Sequence, residues 1–159
     1  MDAATLIDRL ELIPHPEGGY YRETFRATET VLNPDGQIRS AGTSIYYLLE
    51  KDNISHFHRI ASDETWFFHE GEPIEILMLK NHELITITLG ANLSAGEIYQ
   101  ATVPANTWFA AQVRDSKGYS LVRCAVAPGF DFADFELARF EALVQEFPKF
   151  RDVIRRFTR

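Results

Sequence analysis

The sequence predicts an all-β fold, one antiparallel barrel or sandwich with a short N-terminal helix and C-terminal helices around it. Three observations carry this. Between residues 43 and 125 the chain divides into eight short runs rich in β-branched and aromatic residues. Gly, Asn, Asp and Pro separate the runs, as turns require. After residue 134 the apolar spacing changes from the two-residue period of strands to the longer period of helices.

In chain order, Leu6, Ile7 and Leu10 share one face of a helix over residues 3–12, which Pro14 ends. Residues 14–19, Pro-His-Pro-Glu-Gly-Gly, hold two prolines and two glycines, so they form a shaped loop instead of a helix or a central strand. Residues 20–26 resume an extended pattern, and Asn33-Pro34-Asp35-Gly36 marks a hairpin tip. Strands are expected at 44–50, 56–60, 64–69, 74–79, 84–89, 99–103, 108–113 and 119–125. Hairpin turns are expected at 80–83 and 115–118, with a longer connection at 90–96. Phe135, Leu137, Phe140, Leu143, Val144 and Phe147 recur at helical spacing, Pro148 interrupts, and Phe150, Val153, Ile154 and Phe157 continue it. No repeat, low-complexity tract or linker divides residues 1–159, so a single domain is expected.

Composition narrows the partners. With 16 basic and 23 acidic residues the net charge is -7, which lacks the electrostatic footprint of a nucleic-acid binder. Residues 1–5 have neither the basic start nor the apolar core of a signal peptide, and no apolar run reaches membrane-spanning length, so a cytoplasmic protein without a membrane partner is expected. Cys124 sits in an apolar run and reads as a core residue.

The chemistry centres on His56-Phe57-His58 and Glu64. Alternate side chains of a strand share a face, so His56 and His58 are expected to point together. Two imidazoles and a carboxylate suit one divalent metal ion such as Fe, Mn, Ni or Zn, with open positions for water and substrate. Glu64, Trp66 and Phe68 share the other parity of the next strand and offer an apolar wall for a sugar ring or a flat ligand, if that face lines the barrel.

His56-Phe57-His58, Glu64 and Gly71 together resemble the first motif of the cupin superfamily, an HxH followed by Glu and Gly. Five residues separate His58 from Glu64, one more than the usual spacing. The second cupin motif is recognisable at Gly96 and at Pro104-Ala105-Asn106-Thr107-Trp108-Phe109. Asn106 stands there in place of a glycine, and Phe109 in place of the metal-binding histidine. Residues 14–23, 62–66 and 127–132 resemble more closely a cupin subfamily catalogued as a domain of unknown function and sometimes labelled predicted sugar epimerase. The resemblance implies a cupin jelly-roll barrel and a homodimer.

It fixes no reaction; from the site residues the leading expectation is a small-molecule enzyme, a carbohydrate epimerase or isomerase acting on a sugar or nucleotide sugar. His58 would be the base, Glu64, or else Asp63, its carboxylate partner, and Tyr46, or else Tyr20 or Tyr99, the acid. Arg22 would bind an acidic or phosphorylated group, and Gln100 and Trp108 are further pocket candidates beside the second motif. A metal-dependent enzyme using His56, His58 and Glu64, and a non-catalytic binding module, are the alternatives.

Overall fold

A computed structural model describes residues 1–115 and 117–159, and it has the all-β architecture expected. The elements are α1 (Ala3–Arg9), β1 (Ile13–Pro14), β2 (Tyr20–Arg26), β3 (Thr30–Leu32), β4 (Ile38–Ser40), β5 (Thr43–Glu50), β6 (Ser55–Arg59), β7 (Asp63–Gly71), β8 (Ile74–Lys80), β9 (Glu83–Leu89), β10 (Gln100–Val103), β11 (Trp108–Val113), β12 (Tyr119–Ala127), β13 (Glu136–Leu137), α2 (Phe140–Glu146) and α3 (Arg151–Arg156). The turn expected at 115–118 includes Ser116, which lies outside the described residues.

One sheet has the order β1-β2-β5-β12-β7-β10 and the other β13-β6-β11-β8-β9, while β3 and β4 pair as a separate hairpin. All strand pairings within these sheets are antiparallel. The inward faces meet in a core that includes Tyr47, Leu49, Trp66, Ile76, Phe109 and Val122. A second apolar layer forms where α2 and α3 lay Leu143, Phe147, Ile154 and Phe157 on Phe57, Leu79 and Trp108, on the outer face of the five-stranded sheet. On the opposite side α1 packs Ala3 and Leu6 against Leu48 and Leu121 of the six-stranded sheet. Each sheet thus buries both faces along part of its length.

Two departures from the expected elements have local causes. The helix expected over 3–12 stops at Arg9, because Glu11 takes the left-handed conformation at φ 53° before Leu12 turns back into the core. Residues 136–137, read as helical from their spacing, instead add a short strand beside β6, pairing Glu136 with Arg59 and Leu137 with His58. Backbone pairing with an open sheet edge outweighs the local periodicity there.

Candidate active site

The inward side chains of β2, β5, β6, β7 and β12 leave a cavity of about 590 Å³ at one end of the barrel. Tyr21, Ile45, His58, Glu64 and Cys124 line its depth, Arg22 and Arg26 lie on the β2 side, and Phe130, Phe132 and Phe135 form a wall from the segment after β12. That segment is fastened by Arg39, whose guanidinium donates two hydrogen bonds to Asp134 at 2.7 and 2.8 Å, and by the Phe130 N–H donating to Thr43 Oγ1 at 3.0 Å.

The loop over residues 15–19 supplies two further groups, His15 and Glu17. Its backbone is held from several sides. The His15 N–H donates to Gly19 O, the Gly18 N–H to His15 O, and the Gly19 N–H to Asn53 Oδ1. Tyr47 donates its hydroxyl to Gly18 O at 2.7 Å. The backbone N–H and the ring Nδ1–H of His56 both donate to Glu17 O, at 2.8 and 2.6 Å. Gly18 and Gly19 have φ of 115° and 75°, and an added Cβ at Gly18 would collide with the Ile54 carbonyl.

This loop places the Glu17 carboxylate 2.7 Å from His58 Nε2, both groups being buried. His58 Nδ1 lies 2.8 Å from the His56 carbonyl, which can only accept, so Nδ1 carries a hydrogen. With Nε2 donating to Glu17 the ring is an imidazolium. Burial alone would lower the His58 pKa, but the charge of Glu17 and its hydrogen bond raise it. For Glu17 burial acts upward, while the imidazoles of His58 and His15 draw its carboxyl well below the usual range. Glu64 is the contrasting case. Burial and the neighbouring Glu17 charge push its carboxyl up to about 7, against the pull of His58. Burial and the Glu64 charge also hold the Cys124 thiol well above its ordinary value, so it remains protonated.

Of the residues expected at the site, His58, Glu64 and Arg22 line the cavity. Glu64 is not the orienting carboxylate of His58, because Glu17 takes that place. Arg22 faces Glu11 at 3.2 Å and donates to Leu10 O. Tyr46 points to the opposite face of β5, against the α1 layer and the His69 ring, while Ile45 and Tyr47 turn inward. Trp66 is fully buried between the sheets, and Phe68 packs on the same core, so both support the barrel without walling the cavity. Gln100 is exposed on the edge strand β10, and Trp108 lies in the α2–α3 layer beneath Arg59. Tyr20 packs with α1 and Tyr99 is exposed. The sequence reading missed Glu17, His15 and Tyr21; the unusual Pro and Gly density around His15 and Glu17 was the available signal.

A family model described as "Cupin superfamily (DUF985)" matches residues 4–138. The chain belongs to that family. A hypothetical protein from Leishmania major, of solved structure, is 37% identical and superposes with a TM-score of 0.94 over 99% of both chains. Protein SO0799 from Shewanella oneidensis is 41% identical, with a TM-score of 0.91 over 100% of this chain and 98% of that one. The uncharacterized protein YML079W of Saccharomyces cerevisiae is 29% identical over 86% of this chain and 75% of its own length. The oxalate decarboxylase of Bacillus subtilis shares the cupin fold at 14% identity and a TM-score of 0.57, over 91% of this chain and 36% of its own.

Many cupins hold a metal at the HxH motif, and the donors of this cupin do not fit one. Between Ser55 and His58, β6 carries one more residue than the facing Phe109–Ala111 stretch of β11. His56 binds the Glu17 carbonyl and does not line the cavity. Both nitrogens of His58 are engaged, and the Phe109 ring lies 4.1 Å from the His58 ring where a further donor would be needed. Among the described residues no group of three or more His, Cys, Asp or Glu side chains is arranged to hold a metal ion. The trio expected from His56, His58 and Glu64 is therefore not assembled.

Proposed function

We propose that this cupin is a small-molecule isomerase that moves a proton at the carbon beside a carbonyl, on an uncharged, carbohydrate-like substrate. The observation that carries the reading is Glu64, a buried cavity carboxyl with a pKa of about 7, beside the His58–Glu17 ion pair. Proton transfer is most efficient when the catalytic group titrates near the working pH. Glu64 meets that condition, whereas the resting Glu17 is too weak a base and His58 has no free nitrogen.

In this reading the Glu64 carboxylate takes the proton from carbon. The C–H electron pair becomes the C=C bond of an enediol, and negative charge develops on the carbonyl oxygen. The His58 imidazolium, its two N–H groups committed to Glu17 and to the His56 carbonyl, acts on that charge through space. Glu64 returns its proton to the neighbouring carbon while the hydroxyl proton passes between the two oxygens, so atoms and charge balance. The roles first expected for His58 and Glu64 are exchanged, because Glu17 supplies the orienting carboxylate.

Two features support an uncharged substrate. The arginines of the cavity are already paired, Arg22 with Glu11 and Arg26 with Glu23 through two bonds of 2.8 Å, so a phosphate arriving there meets carboxylates as well as cations. Aromatic side chains from Tyr21 and the 130–135 segment offer ring faces for the apolar side of a sugar.

The test is incubation in D2O with glucose, fructose, xylose, xylulose and ribose, followed by NMR. Solvent deuterium at the carbon next to the carbonyl, lost in Glu64→Gln, is the expected result. Saturable binding of one of these sugars without exchange would make the chain a binding module and reject the isomerase reading.

A further inference from the structure

His15 is a polar group of the cavity that this mechanism leaves unused. Its Nδ1 lies 3.2 Å from the Glu17 backbone nitrogen, in a geometry where the N–H donates to the ring. An acceptor nitrogen cannot carry a hydrogen, so the proton of the neutral ring sits on Nε2. The competing arrangement would have a protonated Nδ1 facing the Glu17 carboxylate. It is the poorer one, since that contact is 3.8 Å and the same oxygen already accepts from His58 at 2.7 Å. Burial lowers the basicity of the ring, and the His58 charge adds to this against the attraction of Glu17, which agrees with a neutral state.

Among the described residues the other side of the ring has no polar contact. Tyr21, Tyr47, Phe132 and Phe135 surround it with centroid separations of 4.6 to 6.2 Å, fixing its plane through apolar contacts. Among the described residues Nε2 has no hydrogen-bond partner, and it is not one of the side-chain atoms sealed from solvent without one. His15 lines the cavity shared with Glu64 and His58.

We infer that His15 is a neutral Nε2–H donor built to hydrogen-bond an oxygen of the ligand, on the proposed reading the carbonyl oxygen on which charge develops. The loop makes this assignment stable. The Glu17 amide fixes the tautomer, and the aromatic cage fixes the direction. A neutral imidazole donates without giving up its proton, which suits an oxygen that must be polarised and then released. The inference rests on the isomerase reading only for the identity of that oxygen.

The experiment is long-range 15N–1H NMR of the histidine-labelled protein at neutral pH, with dihydroxyacetone as the carbonyl probe. The expected spectrum has His15 Nδ1 in the unprotonated range and Nε2 in the protonated range, and the Nε2 signals shift on adding the probe. An Nδ1–H tautomer, an imidazolium, or an Nε2 indifferent to the probe would overturn the inference. His15→Gln, which keeps an N–H donor, is expected to retain at least a tenth of the sugar exchange rate, and His15→Phe to lose it about a hundredfold in kcat with little change in KM. Equal rates in the two variants would also overturn it. If no sugar exchanges while the tautomer and probe response are as expected, the isomerase reading fails and His15 remains a binding donor.

Discussion

A carboxyl buried beside another carboxylate keeps its proton longer in the folded protein than in the unfolded chain. For Glu64 the folded value is about 7 against an ordinary 4.5. The stabilisation from its protonated form is complete below the lower value and is lost as the pH rises through the upper one, a swing of about 3 kcal/mol. Glu64→Gln is therefore expected to flatten the alkaline loss of stability, gaining about 3 kcal/mol at pH 8 and little at pH 4, as read by denaturant titration at both values. Glu17 has the opposite sign. Removing its charge by Glu17→Gln takes away what keeps the buried His58 ring protonated, so the ring gives up its proton and the ion pair is lost, at an expected cost of about 1–3 kcal/mol at neutral pH in the same measurement. The contrast explains what could be read beforehand at this scale. His58 and Glu64 were legible because their types and spacing match a motif, but which carboxylate bonds the imidazole depends on a contact across 41 positions of chain, from Glu17 to His58. The parity that sends Tyr46 outward and Tyr47 inward was equally hidden, since one step of register exchanges the faces of a strand.

Among the elements, the 15–19 loop and strand β6 form the working unit, because the loop is useful only in the position where His56 and Asn53 hold it. Gly18→Ala forces both a disfavoured φ and a collision with the Ile54 carbonyl. It is expected to cost about 2–3 kcal/mol and to displace Glu17, which would return the His58 imidazole toward its ordinary titration. NMR titration of that ring, with a melting curve, checks the prediction. Most of these elements were visible in advance, because turn residues and two-residue alternation are local signals. The exceptions each answer to something distant. β13 is a strand because β6 has an open edge, and the His56 ring is engaged by the carbonyl of Glu17, 39 positions away.

For the whole molecule, the net charge is -7, and among the described residues the two arginines of the cavity are each paired with a carboxylate. The kcat/KM for an uncharged sugar is then expected to change less than about twofold as salt is raised from low to physiological, whereas a phosphorylated substrate drawn in electrostatically would show a steep fall. The outer layers contribute stability away from the chemistry. Ile154, fully buried in the α2–α3 layer, is expected to cost about 2–5 kcal/mol on truncation to Ala, with kcat little changed. That layer also reaches the site by another route. The Phe57 N–H, between the two histidines of β6, donates to the Phe157 carbonyl at 2.8 Å, and the Phe57 carbonyl accepts from the Ala138 N–H at the same distance. The segment that follows the barrel thus acts as a splint along the strand that bears the imidazole. A label placed on Phe157 would sit one backbone hydrogen bond from Phe57, the immediate neighbour of His58.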